Sequence, residues 1–312
     1  MSRENLLKFF KKTWLVLFLV AGFAFVFAYL REQAGKLEGV LYFSALFFFL
    51  AVTLHLAFWT SAAWCWGRVV LFCNEIKLPL LVCFSHLALL TIGKYFPGKI
   101  WGMAARAALM KEQDINLSDA LLATFQEQFI FLHAAVVLSG IFFGILFKTG
   151  WAWGICLLAV ISIPVGLLSQ NYAVKLFNHF APRLGLRGKL DNWRAVRADN
   201  YLALLTAYSI VWLLSGMAFA CIYLTFFNSP MNLELLGALV LANTVGNTLG
   251  FLAFFAPGGV GVREAVASGI LAGFIPLNDA IMLSLLFRLW VTLFELLAAL
   301  TLLWPGTRSF KA

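Results

Sequence analysis

The sequence predicts an all-α polytopic membrane protein, and three observations predict it. Of 312 residues, 62% are hydrophobic and only 12% charged, roughly half the charged share of a soluble domain. Six apolar runs are each long enough to cross about 30 Å of hydrocarbon at about 1.5 Å per residue. Two further apolar regions are each broken in the middle by Pro-Gly. Apolar surface on this scale, with 32 Phe and 11 Trp, exceeds what one core can hide. Lipid must therefore solvate much of the chain. Residues 1–312 read as a single transmembrane domain.

Taken in chain order, the first element is an apolar run over 14–30, behind a basic patch of Arg3, Lys8, Lys11 and Lys12. No small-residue cleavage site precedes Arg31, so 1–35 is expected to stay as a first helix and not to leave as a signal peptide. The other full spans are expected at 40–66, 118–147, 151–169, 201–227 and 279–304. Trp14, Trp64, Trp66, Trp151, Trp153 and Trp304 sit near run ends, where interfacial aromatics belong. Residues 151–200 read as a linking helix followed by a basic cytoplasmic loop, too short for a separate soluble domain. The five Cys lie in or beside apolar runs without metal-ligand spacing, so they read as reduced packing residues. No metal or cofactor is expected.

The regions 78–111 and 233–276 need a different explanation. Tyr95-Phe96-Pro97-Gly98 interrupts the first, and Ala256-Pro257-Gly258-Gly259 the second. Pro removes a backbone donor and stops a helix, while Gly permits a tight reversal. Each half is about 15–20 residues, so each region is expected to be a re-entrant helical hairpin, returning to the face it entered from. With the N-terminus inside, the inner segments and termini then carry 15 Lys/Arg and the outer segments three, Arg31, Lys36 and Lys148. That asymmetry favours both termini in the cytoplasm. It also explains the net charge of +9 as topology-setting charge, with no nucleic-acid partner.

The two broken regions match each other. A shift of 160 residues places Pro97-Gly98 on Pro257-Gly258, Ala105 and Ala107 on Ala265 and Ala267, and Ile115-x-Leu117-x-Asp119-Ala120 on Ile275-x-Leu277-x-Asp279-Ala280. Residues 40–147 and 201–304 are therefore two repeats. Three spans separate the hairpins, so the copies face opposite sides of the membrane. Inverted repeats of this kind bring broken helices together near the midplane, around a path that opens alternately to each side. Asp119 and Asp279 read as N-terminal caps of the helices that follow.

Ionisable side chains at membrane depth are costly unless paired or hydrated, so each is a candidate site residue. Lys94, Lys99 and Arg106 on the first hairpin, and Arg263, Glu264 and Asn247 on the second, are candidate substrate contacts. Cations beside half-helix N-termini suit an anionic head group, which Arg can grip with two hydrogen bonds. For Lys94 and Lys99 the alternative is snorkelling to the inner head groups. For Arg263 and Glu264 it is a structural ion pair. Glu127, His133, Arg288 and Glu295 are candidate gating or coupling residues, with His133 equally readable as a packing residue. Gln128 aligns with Arg288 in the repeat, which suggests a Glu127–Arg288 bridge across the pseudo-symmetry axis.

Gly93-Lys94-Tyr95-Phe96-Pro97-Gly98-Lys99 through Arg106, with Pro257-Gly258-Gly259-Val260-Gly261-Val262-Arg263-Glu264, resembles the transmembrane part of lysylphosphatidylglycerol synthases, also described as flippase-like. The resemblance covers most of the chain. It implies a membrane part that moves a lipid between leaflets of the bacterial cytoplasmic membrane, beside a cytosolic domain that makes the lipid. With the chain ending at Ala312, that synthetic domain is expected to be absent. The substrate then stays open among envelope lipids and lipid-linked glycans. A transporter of an anionic lipid or lipid-linked precursor accounts for repeat, broken helices and buried cations together. The alternative is a non-transporting subunit that holds an envelope-biosynthesis enzyme. An intramembrane enzyme would need a nucleophile–base motif or a metal cluster, and neither pattern occurs. The oligomeric state is open.

Overall fold

In the computed structural model, residues 43–95, 101–111, 115–180, 196–227, 229–253 and 256–299 are described. These residues are all-helical, without strands. The first predicted run, 14–30, lies outside them.

Helix α1 (Ala45–Asn74) ends where Glu75 turns left-handed, its N–H bonding the Leu71 carbonyl at 3.1 Å. Then follow α2 (Leu80–Gly93) and α3 (Trp101–Lys111), flanking the first Pro-Gly break. Helix α4 (Leu117–Phe147) is capped by Asn116, whose side chain accepts the Asp119 N–H at 2.9 Å. The expected cap, Asp119, instead occupies the first turn and accepts from the Asn116 side-chain amide at 2.5 Å. Asn116 sits at the N-cap position itself, from which its side-chain oxygen reaches a free backbone donor of the first turn.

Helix α5 (Gly150–Phe180) runs on through Pro164 into the segment read as the start of the basic loop. Helices α6 (Ala198–Phe226) and α7 (Leu233–Leu252) come next, the second capped by Asn232 through the Leu235 N–H at 2.7 Å. A 3₁₀ turn at Pro257–Gly259, α8 (Val262–Leu271) and α9 (Leu277–Ala299) complete the described elements.

Among the described residues six helices are long and apolar enough to cross a membrane: α1, α4, α5, α6, α7 and α9. Five answer to predicted spans. The sixth, α7, was expected to be half of a hairpin, yet its 20 residues reach about 30 Å. The second helix pair is thus lopsided, since α8 has only 10 residues, about 15 Å. The Pro-Gly-Gly therefore follows a full-length helix and precedes a short one. In the first pair both arms are short, 14 and 11 residues.

The positions that match in sequence also match in structure. Leu117 and Leu277 both open helices, and Trp101–Lys111 and Val262–Leu271 coincide to within one residue after the 160 shift. Helices α1 and α6 pack most extensively, and α4, α7 and α9 close round them with the two short pairs between. Helix α5 packs along α4 at the periphery, where Gly140 and Gly144 let Ala159 and Cys156 approach. Its outer face shows Trp151, Leu158, Val165 and Leu168.

Polarity is distributed inside out relative to a soluble protein. The surface shows Leu, Phe and Trp, while Arg106, Gln126, Glu127, His133, Asn243 and Glu295 are buried. Water would make that arrangement unstable, and lipid makes it the favourable one.

Candidate functional site

The residues just past α2 touch the second Pro-Gly break. Past the end of α2, the Lys94 carbonyl accepts the Gly258 N–H at 2.8 Å. Gly258, Gly259 and Gly261 have φ of 62°, 71° and 83°, left-handed values that non-glycine residues reach only at a cost. A Cβ at Gly258 would lie 2.9 Å from the Tyr95 ring. The Pro-Gly-Gly-x-Gly sequence therefore serves both a reversal of the chain and a close approach to the first break.

Helix α9 holds this junction from the side. Glu295 pairs with Lys94 through one oxygen and accepts the Tyr95 hydroxyl through the other, at 2.6 Å. Two turns earlier, Arg288 faces Glu264 of α8, Nε to Oε1 at 3.6 Å. The other Glu264 oxygen accepts the Gly261 N–H at 2.7 Å, which closes the first turn of α8.

A third ion pair joins α3 to α4, with Arg106 Nη1 2.8 Å from Glu127 Oε2. Gln128 Nε2 donates to the same oxygen at 2.6 Å, and the Tyr208 hydroxyl donates to Oε1 at 3.3 Å. The Arg106 guanidinium lies 3.3 Å from the centre of the Trp66 ring. The expected Glu127–Arg288 bridge does not form, because each partner faces a charge on the short helix beside it. The two pairs differ in polarity: the cation is on the short helix α3 in one, and the carboxylate is on the short helix α8 in the other.

Beside these groups lies a central cavity of ≈ 1140 Å³, its open mouth included, walled by α1, α2, α3, α4, α6, α7, α8 and α9. Lys94, Asn247, Arg263, Glu127, Gln128 and Glu295 line it. A smaller cavity of ≈ 360 Å³ shares Asn247, Arg263 and Val291 with it and reaches Glu264 and Arg288. Arg263 stands at the junction of the two. Its side chain lies against Gly250 and Gly259, where any Cβ would collide with it.

Among the described residues the paired interior charges are Lys94, Arg106 and Arg288 against Glu127, Glu264 and Glu295. Arg263 has no carboxylate within 4 Å among them, and its buried Nε has no hydrogen-bond partner. The interior thus holds one cation more than its carboxylates neutralise.

The remaining candidates fall elsewhere. Pro97, Gly98 and Lys99 lie outside the described residues. Arg106 is fully buried and does not line the cavity. His133 sits between α5 and α6, with Nδ1 2.5 Å from the Tyr201 hydroxyl and Nε2 2.8 Å from Ser162. Asn243 donates to Ser215 of α6 at 3.0 Å, and Asn247 donates to the Asn243 carbonyl at 2.7 Å. Among the described residues no three His, Cys, Asp or Glu side chains form a metal-binding group.

Sequence reasoning passed over Tyr95 as a site residue, although it stands inside the first break. It also passed over His55 and Trp59, cavity-lining residues one turn apart on α1. The rule that singled out His133, an ionisable group within an apolar run, applies equally to His55.

The family model described as "Lysylphosphatidylglycerol synthase TM region" matches residues 14–299. No curated protein matches the chain.

Proposed function

Because the chain belongs to the lysylphosphatidylglycerol synthase transmembrane family, we propose that it moves an anionic lipid or lipid-linked envelope precursor between the leaflets of the bacterial cytoplasmic membrane. It is a multi-pass membrane protein of a lipid-handling family. The observation that supports transport most directly is Arg263, a cation without a carboxylate partner at the wall of a large cavity beside the contact between Lys94 and the second chain break. A lone guanidinium away from bulk water is costly until an anion meets it, and a phosphate can accept two of its hydrogen bonds.

In this reading the helix pairs are re-entrant hairpins of an inverted repeat. The junction of Lys94, Tyr95 and Gly258 with Glu295 closes one access path. Opening it costs one ion pair and a few hydrogen bonds, a change that substrate binding can offset.

The test is leaflet exchange in liposomes. Purified protein is reconstituted with fluorescent anionic phospholipids or polyprenyl phosphates, and exchange is read by dithionite quenching. Wild type is expected to exchange an anionic lipid, and Arg263→Ala to do so at least about tenfold more slowly, the size of one lost charge-assisted contact. Because Arg263 has no carboxylate partner, the variant should keep the wild-type melting temperature. Equal exchange in both proteins removes Arg263 from the site. No exchange of any lipid favours the subunit reading.

A further inference from the structure

The α1 wall of the cavity has unused hydrogen-bonding capacity. His55 is 1% exposed and Trp59 4% exposed. Neither nitrogen of the His55 ring, nor Trp59 Nε1, has a hydrogen-bond partner among the described residues. Both side chains line the central cavity from one face of α1. The rings of Phe58, Phe287, Trp290 and Phe294 hold His55 in place, with Phe294 closest at 4.5 Å between centroids. Buried polar atoms without partners weaken a fold, and natural structures rarely keep them without a use. Three of them on one wall of a cavity therefore point to a ligand.

The chemistry of the ligand follows from what these atoms can accept and give. An uncharged imidazole offers one donor and one acceptor, and an indole offers a donor. A phosphate oxygen can only accept and an ammonium can only donate. A hydroxyl does both, so a head group bearing two hydroxyls can satisfy His55 on both sides, and either oxygen can also accept from Trp59. The charged groups exclude a cationic head group from the same cavity. Glu295 is held by Lys94 and Tyr95, and Glu127 by Arg106, Gln128 and Tyr208. Glu264 is held by Gly261 and Arg288. Both carboxylates that line the central cavity, Glu127 and Glu295, are thus already paired, and Arg263 repels an ammonium.

We propose that His55 and Trp59 form a hydroxyl subsite of the central cavity, so that the lipid handled is an anionic phospholipid with a neutral polyol head group, not an aminoacylated one. This rests on the transport reading for its setting, with Arg263 taking the phosphate and His55 and Trp59 taking the glycerol or sugar hydroxyls. Neutral donors and acceptors beside aromatic walls select for hydroxyls because a head group lacking them leaves buried groups unpaired.

Binding to the full chain in detergent, followed by native mass spectrometry, tests the subsite independently of transport. The probes are phosphatidylglycerol and phosphatidylinositol, which bear hydroxyls, phosphatidylmethanol, which has the same phosphate charge and none, and lysylphosphatidylglycerol. At least one hydroxylated lipid is expected to bind about tenfold more tightly than phosphatidylmethanol. Which of the two binds tighter distinguishes a glycerol from a sugar-like head group. His55→Phe and Trp59→Phe are expected to erase that preference while leaving phosphatidylmethanol binding unchanged. His55→Phe should also hold or raise the melting temperature, which separates lost selectivity from misfolding. A ratio near one, no binding of any probe, or lysylphosphatidylglycerol binding as tightly as phosphatidylglycerol overturns the proposal. Dithionite exchange of phosphatidylmethanol that depends on Arg263 would still stand in the first case, so failure of the subsite and failure of the transport reading are told apart.

Discussion

Arg106 shows what a buried charge requires. It has no exposed surface, and its positive charge is met by Glu127 on one side and the Trp66 ring on another. Removing one partner of such a pair strands the other, at about 3–5 kcal/mol, whereas removing both costs far less. Arg106→Met is therefore expected to lower the apparent melting temperature in detergent sharply, and adding Glu127→Gln to recover most of the loss. A double variant no more stable than the single one would show that the pair does not act as a unit. At this scale the sequence identifies the actors and not their partners. Arg106, Glu127, Arg288, Glu264 and Glu295 all stand out as ionisable groups in apolar runs, yet the bridge expected between Glu127 and Arg288 is absent. Alignment of the repeats fixes only depth along each helix. Which side chain lies opposite depends on the rotation of the helix beside it.

At the scale of elements, the short helix pairs owe their shape to a few backbone positions. Gly258 has φ 62° and meets Tyr95, so Gly258→Ala adds a left-handed penalty of about 1–2 kcal/mol and a collision with the first break. Its expected effect is a lower melting temperature together with slower lipid exchange. Gly258→Asn separates the two causes, because Asn tolerates the left-handed backbone but keeps the bulk. If the contact between the breaks matters, Asn restores stability more than exchange. Exchange at the wild-type rate in both variants would show that the contact is dispensable. The breaks were legible because Pro and Gly act locally, through a missing donor and a permitted φ. The unequal arms of the second pair were not. The region's expected start at 233 coincides with that of α7, but hydropathy does not show that α8 covers only Val262–Leu271 while α7 covers 20 residues.

At the scale of the whole molecule, orientation is the open physical question, and charge answers it as an expectation. Lys77 and Lys148 are predicted to lie on opposite faces, inside and outside respectively. With the five native Cys replaced, Lys148→Cys in intact cells is expected to react with a membrane-impermeant maleimide, and Lys77→Cys only after permeabilisation. The reverse labelling would invert the topology. Composition alone determined that lipid solvates this chain, because 62% hydrophobic residues cannot be hidden in one core. Hydropathy likewise placed five of the spans found among the described residues, since it is local to a stretch of chain. Only the tertiary structure decided that Glu295 reaches Lys94 and Tyr95, 201 and 200 residues away in sequence. It alone decided that, among the described residues, Arg263 has no carboxylate within 4 Å, and that His55 and Trp59, whose nitrogens lack partners there, line the cavity. The physical reason is that helix periodicity sets a side chain's face and depth, whereas its neighbours depend on how separate helices tilt and rotate as they pack.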